Sequence, residues 1–103
     1  MNAAGKSRKE VEVQSEPIMV YRRSWCEDSD AAVEYFKQQK IEYKEIDIEQ
    51  DEMAARGVEF VTGGHQITPT LVYRMQALVC DPWTQARFEA WWHFANSTFA
   101  GAE

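Results

Sequence analysis

Short apolar segments alternate with amphipathic ones along this chain of 103 residues, and their order limits the folds open to it. Residues 18–21 form an apolar run of buried-strand length, and residues 41–48 predict a strand in which apolar and charged side chains alternate. After each of these strands comes a segment in which apolar side chains recur at the spacing of a helix. Residues 70–74 and 76–80 predict a hairpin, and a last helix follows it. The predicted order is strand, helix, strand, helix, strand, strand, helix.

The two strand–helix–strand steps favour a parallel pair of strands, and the hairpin adds an antiparallel edge, so a mixed sheet is predicted. The first helix follows Cys26 and ends at residues 38–40. The second runs from about Gln50 to a stop at residues 62–64, and the third opens with Asp81 as N-cap and a proline at the first helical position. The apolar faces of these last two helices are expected at Ala54, Val58 and Val61, and at Phe88, Trp91, Trp92 and Ala95.

Length, charge and composition indicate one small domain. We expect residues 17–96 to form it, residues 1–16 to be a flexible leader and residues 97–103 to be a frayed tail. The net charge of -6 argues against nucleic-acid binding, and the basic cluster at residues 6–9 is expected to be solvated. No stretch approaches the roughly 20 apolar residues that span a bilayer, and the leader lacks the apolar core of a secretory signal. A cytoplasmic, reduced setting without membrane partners is therefore expected.

The two cysteines, Cys26 and Cys80, are too few for a disulfide framework. Neither has zinc-ligand spacing to His65 or His93, so no metal site is predicted. His65 is interpreted as a solvated loop histidine. The acidic residues at 49–52 are interpreted as helix capping and solubility, not as metal ligands.

Cys26 is the first candidate for chemistry because it lies where a strand gives way to a helix. The free N–H groups and the dipole of a helix N-terminus favour a thiolate there. The charges of Arg22 and Arg23 favour it further. Three carboxylates of the same turn should oppose ionisation, namely Glu27, Asp28 and Asp30. From position alone, Cys26 could equally be a buried small apolar residue.

Residues 20–29, with their Cys-x-x-Ser motif, resemble the active-site segment of glutaredoxins, in which a basic residue precedes the nucleophile by three positions. Residues 63–70 resemble the Gly-x-x-Thr-Val-Pro loop of that family, and residues 79–81 resemble the turn before its last helix. The resemblance covers residues 18–94 and is closest to the mycoredoxin-like branch. It implies a thioredoxin-like α/β fold with a four-stranded mixed sheet and helices on both faces.

The resemblance also implies roles for particular residues. Cys26 is the nucleophile, Trp25 borders the thiol, and Pro69 matches the family's cis-proline. The backbone of Thr68 pairs with the cysteine moiety of the bound thiol. The charged ends of that thiol are contacted at the positions matched by Arg23, Gln66 and Asp81.

The chain departs from the family pattern at the motif's second cysteine, which is Ser29 here. This leaves a monothiol route, in which a second small thiol resolves the mixed disulfide. Ser29 either donates a hydrogen bond to the sulfur or simply caps the helix. Glu27 and Asp28 replace the Gly-Phe of the cluster-binding monothiol branch, which disfavours an iron–sulfur cluster. Cys80 is either a remote resolving thiol or, as we expect, buried and inert.

These observations lead to one main hypothesis and two alternatives. The main hypothesis is a monomeric oxidoreductase of cell redox homeostasis, which reduces mixed disulfides between proteins and glutathione or mycothiol and binds no cofactor tightly. One alternative is a weakly catalytic module that binds an iron–sulfur cluster or a partner. The other is a thioredoxin-like electron donor that works through Cys26 and Cys80.

Overall fold

The computed structural model describes residues 14–101, with side chains up to residue 96. Four strands and three helices follow each other in the predicted order. They are β1 (Ile18–Arg22), α1 (Glu27–Gln39), β2 (Tyr43–Asp47), α2 (Glu52–Thr62), β3 (Thr70–Tyr73), β4 (Gln76–Val79) and α3 (Gln85–Gly101). None of the helices in this part of the chain is both long and apolar enough to cross a membrane.

The strands form a single sheet in the order β2-β1-β3-β4. β1 pairs in parallel with β2 and antiparallel with β3, and β3 pairs antiparallel with β4. In the parallel pair Ile18 lies opposite Tyr43 and Arg22 lies opposite Asp47. The predicted mixed sheet and the thioredoxin-like fold are thereby confirmed.

The central strand β1 supplies apolar side chains to both faces of the sheet, because successive side chains of a strand alternate in direction. Ile18 and Val20 are completely buried in the larger cluster, which includes residues of α1 and α3. Tyr21 packs on the opposite face against a second cluster that contains Ala55 and Val58 of α2. Helices therefore cover both faces, as the resemblance implies.

Phe88 lies at the centre of an aromatic cluster between α1 and α3. Its ring centroid is 5.1–5.9 Å from those of Tyr35, Phe36, Trp83, Trp91 and Trp92. Phe88 and Ala95 are fully buried, and Trp91 and Trp92 are partly buried, so the predicted inner side of the last helix is confirmed. On α2 the prediction was wrong for Val61, which is 42% exposed, because that helix buries the stripe of Ala55 and Val58 instead.

The last helix begins later and ends later than predicted. Asp81 and Pro82 form a bend, and Thr84 caps the helix because its hydroxyl accepts a hydrogen bond from the Arg87 backbone N–H at 3.2 Å. At the other end the helix continues past Asn96 to Gly101. Asn96 stays helical while its side chain donates to the Trp92 carbonyl at 2.9 Å.

The end of the predicted leader lies against the domain. Gln14 and Glu42 exchange two hydrogen bonds, with the side-chain amide donating to the Glu42 carbonyl at 2.6 Å and accepting from its N–H at 2.9 Å. The Ser15 N–H donates to the Tyr73 hydroxyl at 3.1 Å, and Glu16 accepts from the Arg74 N–H at 3.1 Å. The remainder of that leader, residues 1–13, lies outside the described residues, and so does the very end of the predicted tail, residues 102–103.

Candidate active site

The backbone places Cys26 at the N-cap of α1, directly after the turn that ends β1. Its φ and ψ are −92° and 115°, so it is still extended, while its carbonyl already accepts the helical hydrogen bond from Asp30 at 3.1 Å. No side chain caps this helix end. The thiol therefore lies next to the free N–H groups and the positive end of the helix dipole.

Hydrogen bonds decide the acidity of this partly buried thiol. Burial opposes ionisation, but the side chains of Ser29 and Thr68 and the backbone N–H groups of Ser29 and Asp28 outweigh it, so the pKa of Cys26 lies below its ordinary value. The thiol itself donates to the Thr68 carbonyl at 3.4 Å. Neither the predicted help from the arginines nor the predicted opposition from the first-turn carboxylates is among these causes.

Ser29 lies completely buried one turn into α1. No partner among the described residues lies within hydrogen-bond distance of its hydroxyl, yet this hydroxyl is among the groups that lower the Cys26 pKa. Both observations hold because an ionised sulfur attracts a nearby O–H donor more strongly than a neutral thiol does. Among the described residues, the Ser29 hydroxyl makes no hydrogen bond that caps the helix.

The loop between α2 and β3 brings Thr68 and Pro69 to the thiol. Gly63 and Gly64 end α2 with φ of 81° and 107°, the left-handed region that glycine adopts without steric cost. The Thr68–Pro69 peptide bond is cis, as the resemblance implies, and Pro69 is buried. The Pro69 carbonyl accepts from the Cys80 N–H at 3.0 Å, which ties the loop to the end of β4.

A polar network joins the predicted binding residues Arg23 and Gln66. The Arg23 guanidinium donates to the Gln66 carbonyl at 2.7 Å and also to its side-chain oxygen. It stacks over the Trp25 ring, 5.4 Å from the centroid, and its Nε lies 3.9 Å from the Glu49 carboxylate. Glu49 in turn accepts from the Trp25 indole N–H at 2.9 Å. Sequence reasoning missed this role of Glu49, since its position next to a helix start indicated only capping and solubility.

Arg22 and Glu59 also have partners within the chain. Arg22 donates to Asp30 at 2.6 Å and to Glu45 at 3.2 Å. Glu59 accepts from the Gln66 side-chain amide at 2.7 Å and from Arg56 at 2.8 and 2.9 Å. No sequence signal pointed to Glu59, because α2 and the proline loop meet only in the folded chain.

The remaining residues singled out in the sequence are Cys80, Asp81 and His65. Cys80 is buried, and its pKa is raised to about 12, mainly by burial, while the charge of Arg87 lowers the pKa and that of Asp28 raises it by smaller amounts. This arrangement favours the expected inert thiol over a resolving one. Asp81 and His65 are exposed, and the His65 backbone N–H donates to the Thr62 hydroxyl at 3.0 Å. Within residues 14–101, no group of three or more His, Cys, Asp or Glu side chains could hold a metal ion.

Comparisons with known proteins agree with this geometry. The family model described as glutaredoxin matches residues 18–76, more than half of the chain. Among solved structures, the glutaredoxin of Archaeoglobus fulgidus is similar with 14% identity and a TM-score of 0.62, covering 84% of this chain and 96% of that one. The thioredoxin-like protein BC3987 is similar with 20% identity and a TM-score of 0.61, covering 71% and 96%. These two likenesses show the fold alone, and a search of curated proteins finds no match. On the match to the family model, the chain belongs to the glutaredoxin family.

Proposed function

We propose that this protein is a thiol–disulfide oxidoreductase that reduces mixed disulfides between proteins and a low-molecular-weight thiol, with Cys26 as its single nucleophile. One observation carries the proposal. The Cys26 thiol lies at a helix N-terminus with a lowered pKa and faces the Thr68 carbonyl beside Pro69. A thiol in that position ionises more readily than an ordinary cysteine, and the thiolate is the form that takes part in exchange.

In the first step the Cys26 thiolate attacks the small-thiol sulfur of the mixed disulfide. The old S–S bond breaks, the protein substrate leaves as a thiolate that takes up a proton, and a Cys26–small-thiol disulfide forms. The Thr68 backbone orients the cysteine moiety of the small thiol. Before the attack, the Ser29 hydroxyl and the N–H groups of the first helical turn stabilise the thiolate.

In the second step another molecule of the small thiol, as its thiolate, attacks the mixed disulfide on Cys26. The products are the oxidised small-thiol disulfide and the Cys26 thiolate, so the two electrons come from the small thiol. This monothiol route is supported by Ser29 in place of a second motif cysteine. The burial of Cys80 and its raised pKa also support it, since a protonated, inaccessible thiol is a poor resolving nucleophile.

Glutathione or mycothiol is the proposed cosubstrate, and proteins with mixed disulfides are the proposed partners. Arg23, Gln66 and Asp81 are the proposed contacts for the ends of the small thiol, and Trp25 is the proposed wall of the groove. We further propose that the protein acts as a monomer in the cytoplasm, in redox homeostasis, without a tightly bound cofactor or iron–sulfur cluster.

The direct test is NADPH-coupled reduction of a glutathione mixed disulfide, repeated with mycothiol, by the wild type and the Cys26→Ser and Cys80→Ala variants. We expect Cys26→Ser to abolish turnover and Cys80→Ala to leave it within about twofold, because a buried, protonated thiol takes no part in exchange. Loss of turnover in Cys80→Ala, with unchanged thermal unfolding, would instead favour the two-cysteine electron donor. A wild type that is inactive with both thiols would favour the binding module.

A further inference from the structure

Arg23, the proposed cation for the small thiol, already has partners within the chain. Two of its nitrogen atoms donate to the carbonyl and the side-chain oxygen of Gln66. A third, Nε, faces the Glu49 carboxylate at 3.9 Å, and the Trp25 ring covers one face of the guanidinium. The Arg23 side chain is only 15% exposed. An incoming carboxylate therefore meets a cation with two of its five N–H donors engaged by Gln66 and with a carboxylate of the chain already 3.9 Å from its Nε.

Gln66, the proposed amide contact, is engaged in the same way. Its side-chain N–H donates to the Glu59 carboxylate at 2.7 Å. Arg56 holds that carboxylate in place through a two-pronged interaction at 2.8 and 2.9 Å. Hydrogen bonds from Arg56 and Gln66 keep the pKa of Glu59 below its ordinary value, so this carboxylate is charged at neutral pH.

We propose that Glu49 and Glu59 determine the substrate preference of the site, by occupying Arg23 and Gln66 in place of a substrate carboxylate. The inference rests on the proposed function and specifies its substrate class. Some small thiols carry no anionic group at the end that faces Arg23 and Gln66. The site then accepts these at least as readily as thiols that carry a carboxylate there. Glu49 and Glu59 are specificity-determining residues and take no part in the exchange itself.

The size of the effect follows from the exposure of the two carboxylates, since the Glu49 side chain is 40% exposed and that of Glu59 is 29% exposed. A substrate carboxylate must displace Glu49 or Glu59, or bind beside them against like-charge repulsion. Because exposed ion pairs contribute modestly, removal of either charge should favour a carboxylate-bearing thiol by roughly two- to fivefold. Salt should shrink this difference, since it screens exposed charges.

The test compares two forms of one probe, a peptide mixed disulfide with glutathione and the same disulfide with the glycyl ethyl ester of glutathione. These forms differ in a single carboxylate charge. The rate of the first exchange step is measured by the release of free peptide, and mass spectrometry identifies the thiol left on Cys26. The proteins are the wild type, Glu49→Gln and Glu59→Gln, which keep the side-chain length and one acceptor oxygen but lose the charge. The matched control is Glu52→Gln, which removes a charge and an Arg56 partner from the same helix as Glu59, away from Gln66.

For the wild type and Glu52→Gln we expect rates with acid and ester within about twofold of each other. Glu49→Gln and Glu59→Gln should prefer the acid by roughly two- to fivefold at low salt, and this preference should fade as salt rises. A wild type that prefers the acid more than about tenfold, or an acid-to-ester ratio that is the same in all four proteins, would overturn the inference and leave the proposed function standing. If the wild type reacts with neither the acid nor the ester form of the mixed disulfide, both the inference and the proposed function are overturned.

Discussion

Ser29 shows how one buried hydroxyl can oppose stability and serve reactivity. It is completely buried and has no hydrogen-bond partner in the part of the chain that the structure describes, which is costly for a polar group, yet it lowers the Cys26 pKa. We predict that Ser29→Ala raises the Cys26 pKa and slows exchange severalfold at neutral pH. The free energy of unfolding should stay equal or rise by up to about 1 kcal/mol. Thiolate absorbance against pH and urea unfolding measure the two effects, with the exposed Ser24→Ala as control. A Ser29→Ala variant that exchanges more slowly and also unfolds at a lower free energy would contradict this interpretation.

The two cysteines should affect alkaline stability in opposite directions. The folded pKa of Cys26 is lowered, so its thiolate stabilises the fold above the unfolded pKa of about 8.5, and this contribution disappears as pH falls through the folded value. The pKa of Cys80 in the folded protein is raised to about 12. The stability that its neutral thiol contributes is therefore complete below the unfolded pKa and is lost as the pH rises from there toward 12. From neutral to alkaline pH, the stability advantage of the wild type should grow over Cys26→Ala and shrink relative to Cys80→Ala. Denaturant unfolding of the three proteins across this pH range measures both differences. If the free energy of unfolding depends on pH in the same way in all three, the predicted contributions of the two thiols are contradicted.

Among the elements, the β3–β4 hairpin has a two-residue turn with positive φ at both positions, and neither residue is the glycine, asparagine or aspartate that this conformation favours. Arg74 and Met75 have φ of 52° and 64°, a conformation that costs a residue with a Cβ atom roughly 1–2 kcal/mol. Met75 is 98% exposed, so its side chain contributes little packing. We predict that Met75→Gly raises the free energy of unfolding by roughly 0.5–1 kcal/mol, after the entropy cost of glycine is subtracted. Met75→Ala keeps the Cβ atom and should bring no gain, and a gain with alanine would show that the side chain and not the backbone is responsible.

The elements also show how far sequence reasoning reaches. Strand and helix order could be predicted because apolar periodicity reflects local geometry and one-sided burial. The start of α3 could not, because Asp81-Pro82 and Thr84 are both plausible helix starts and tertiary packing decides between them. The same holds for the site. The motif around Cys26 pointed to the nucleophile, whereas contacts of Arg23 with Glu49 and Gln66 exist only once distant segments meet.

For the whole molecule, the segment at residues 14–16 links the two sides of the sheet. Gln14 bonds to Glu42 just before β2, while Ser15 and Glu16 bond to the end of β3. We predict that Gln14→Ala lowers the free energy of unfolding by about 1 kcal/mol and leaves the exchange rate of Cys26 unchanged. Exchange should be unaffected because the length of β1, about 16 Å, separates the hydrogen bonds of Gln14 from the thiol of Cys26. Urea unfolding and single-turnover exchange measure them, with the exposed Gln50→Ala as control, and a slower exchange in Gln14→Ala would show coupling along the strand.

The uneven placement of the tryptophans gives the protein an optical reporter of its own. Of the four indoles, Trp25 is 66% exposed next to the thiol, whereas Trp83, Trp91 and Trp92 pack against the main core. A quencher dissolved in water therefore reaches the emission of Trp25 before that of the others. The Glu49 carboxylate and the Arg23 guanidinium both contact this indole, so the difference between quenching by iodide and by caesium measures which charge dominates the local electric potential. Occupation of Cys26 by a small thiol can then be followed as a loss of quenchable emission, without an added dye.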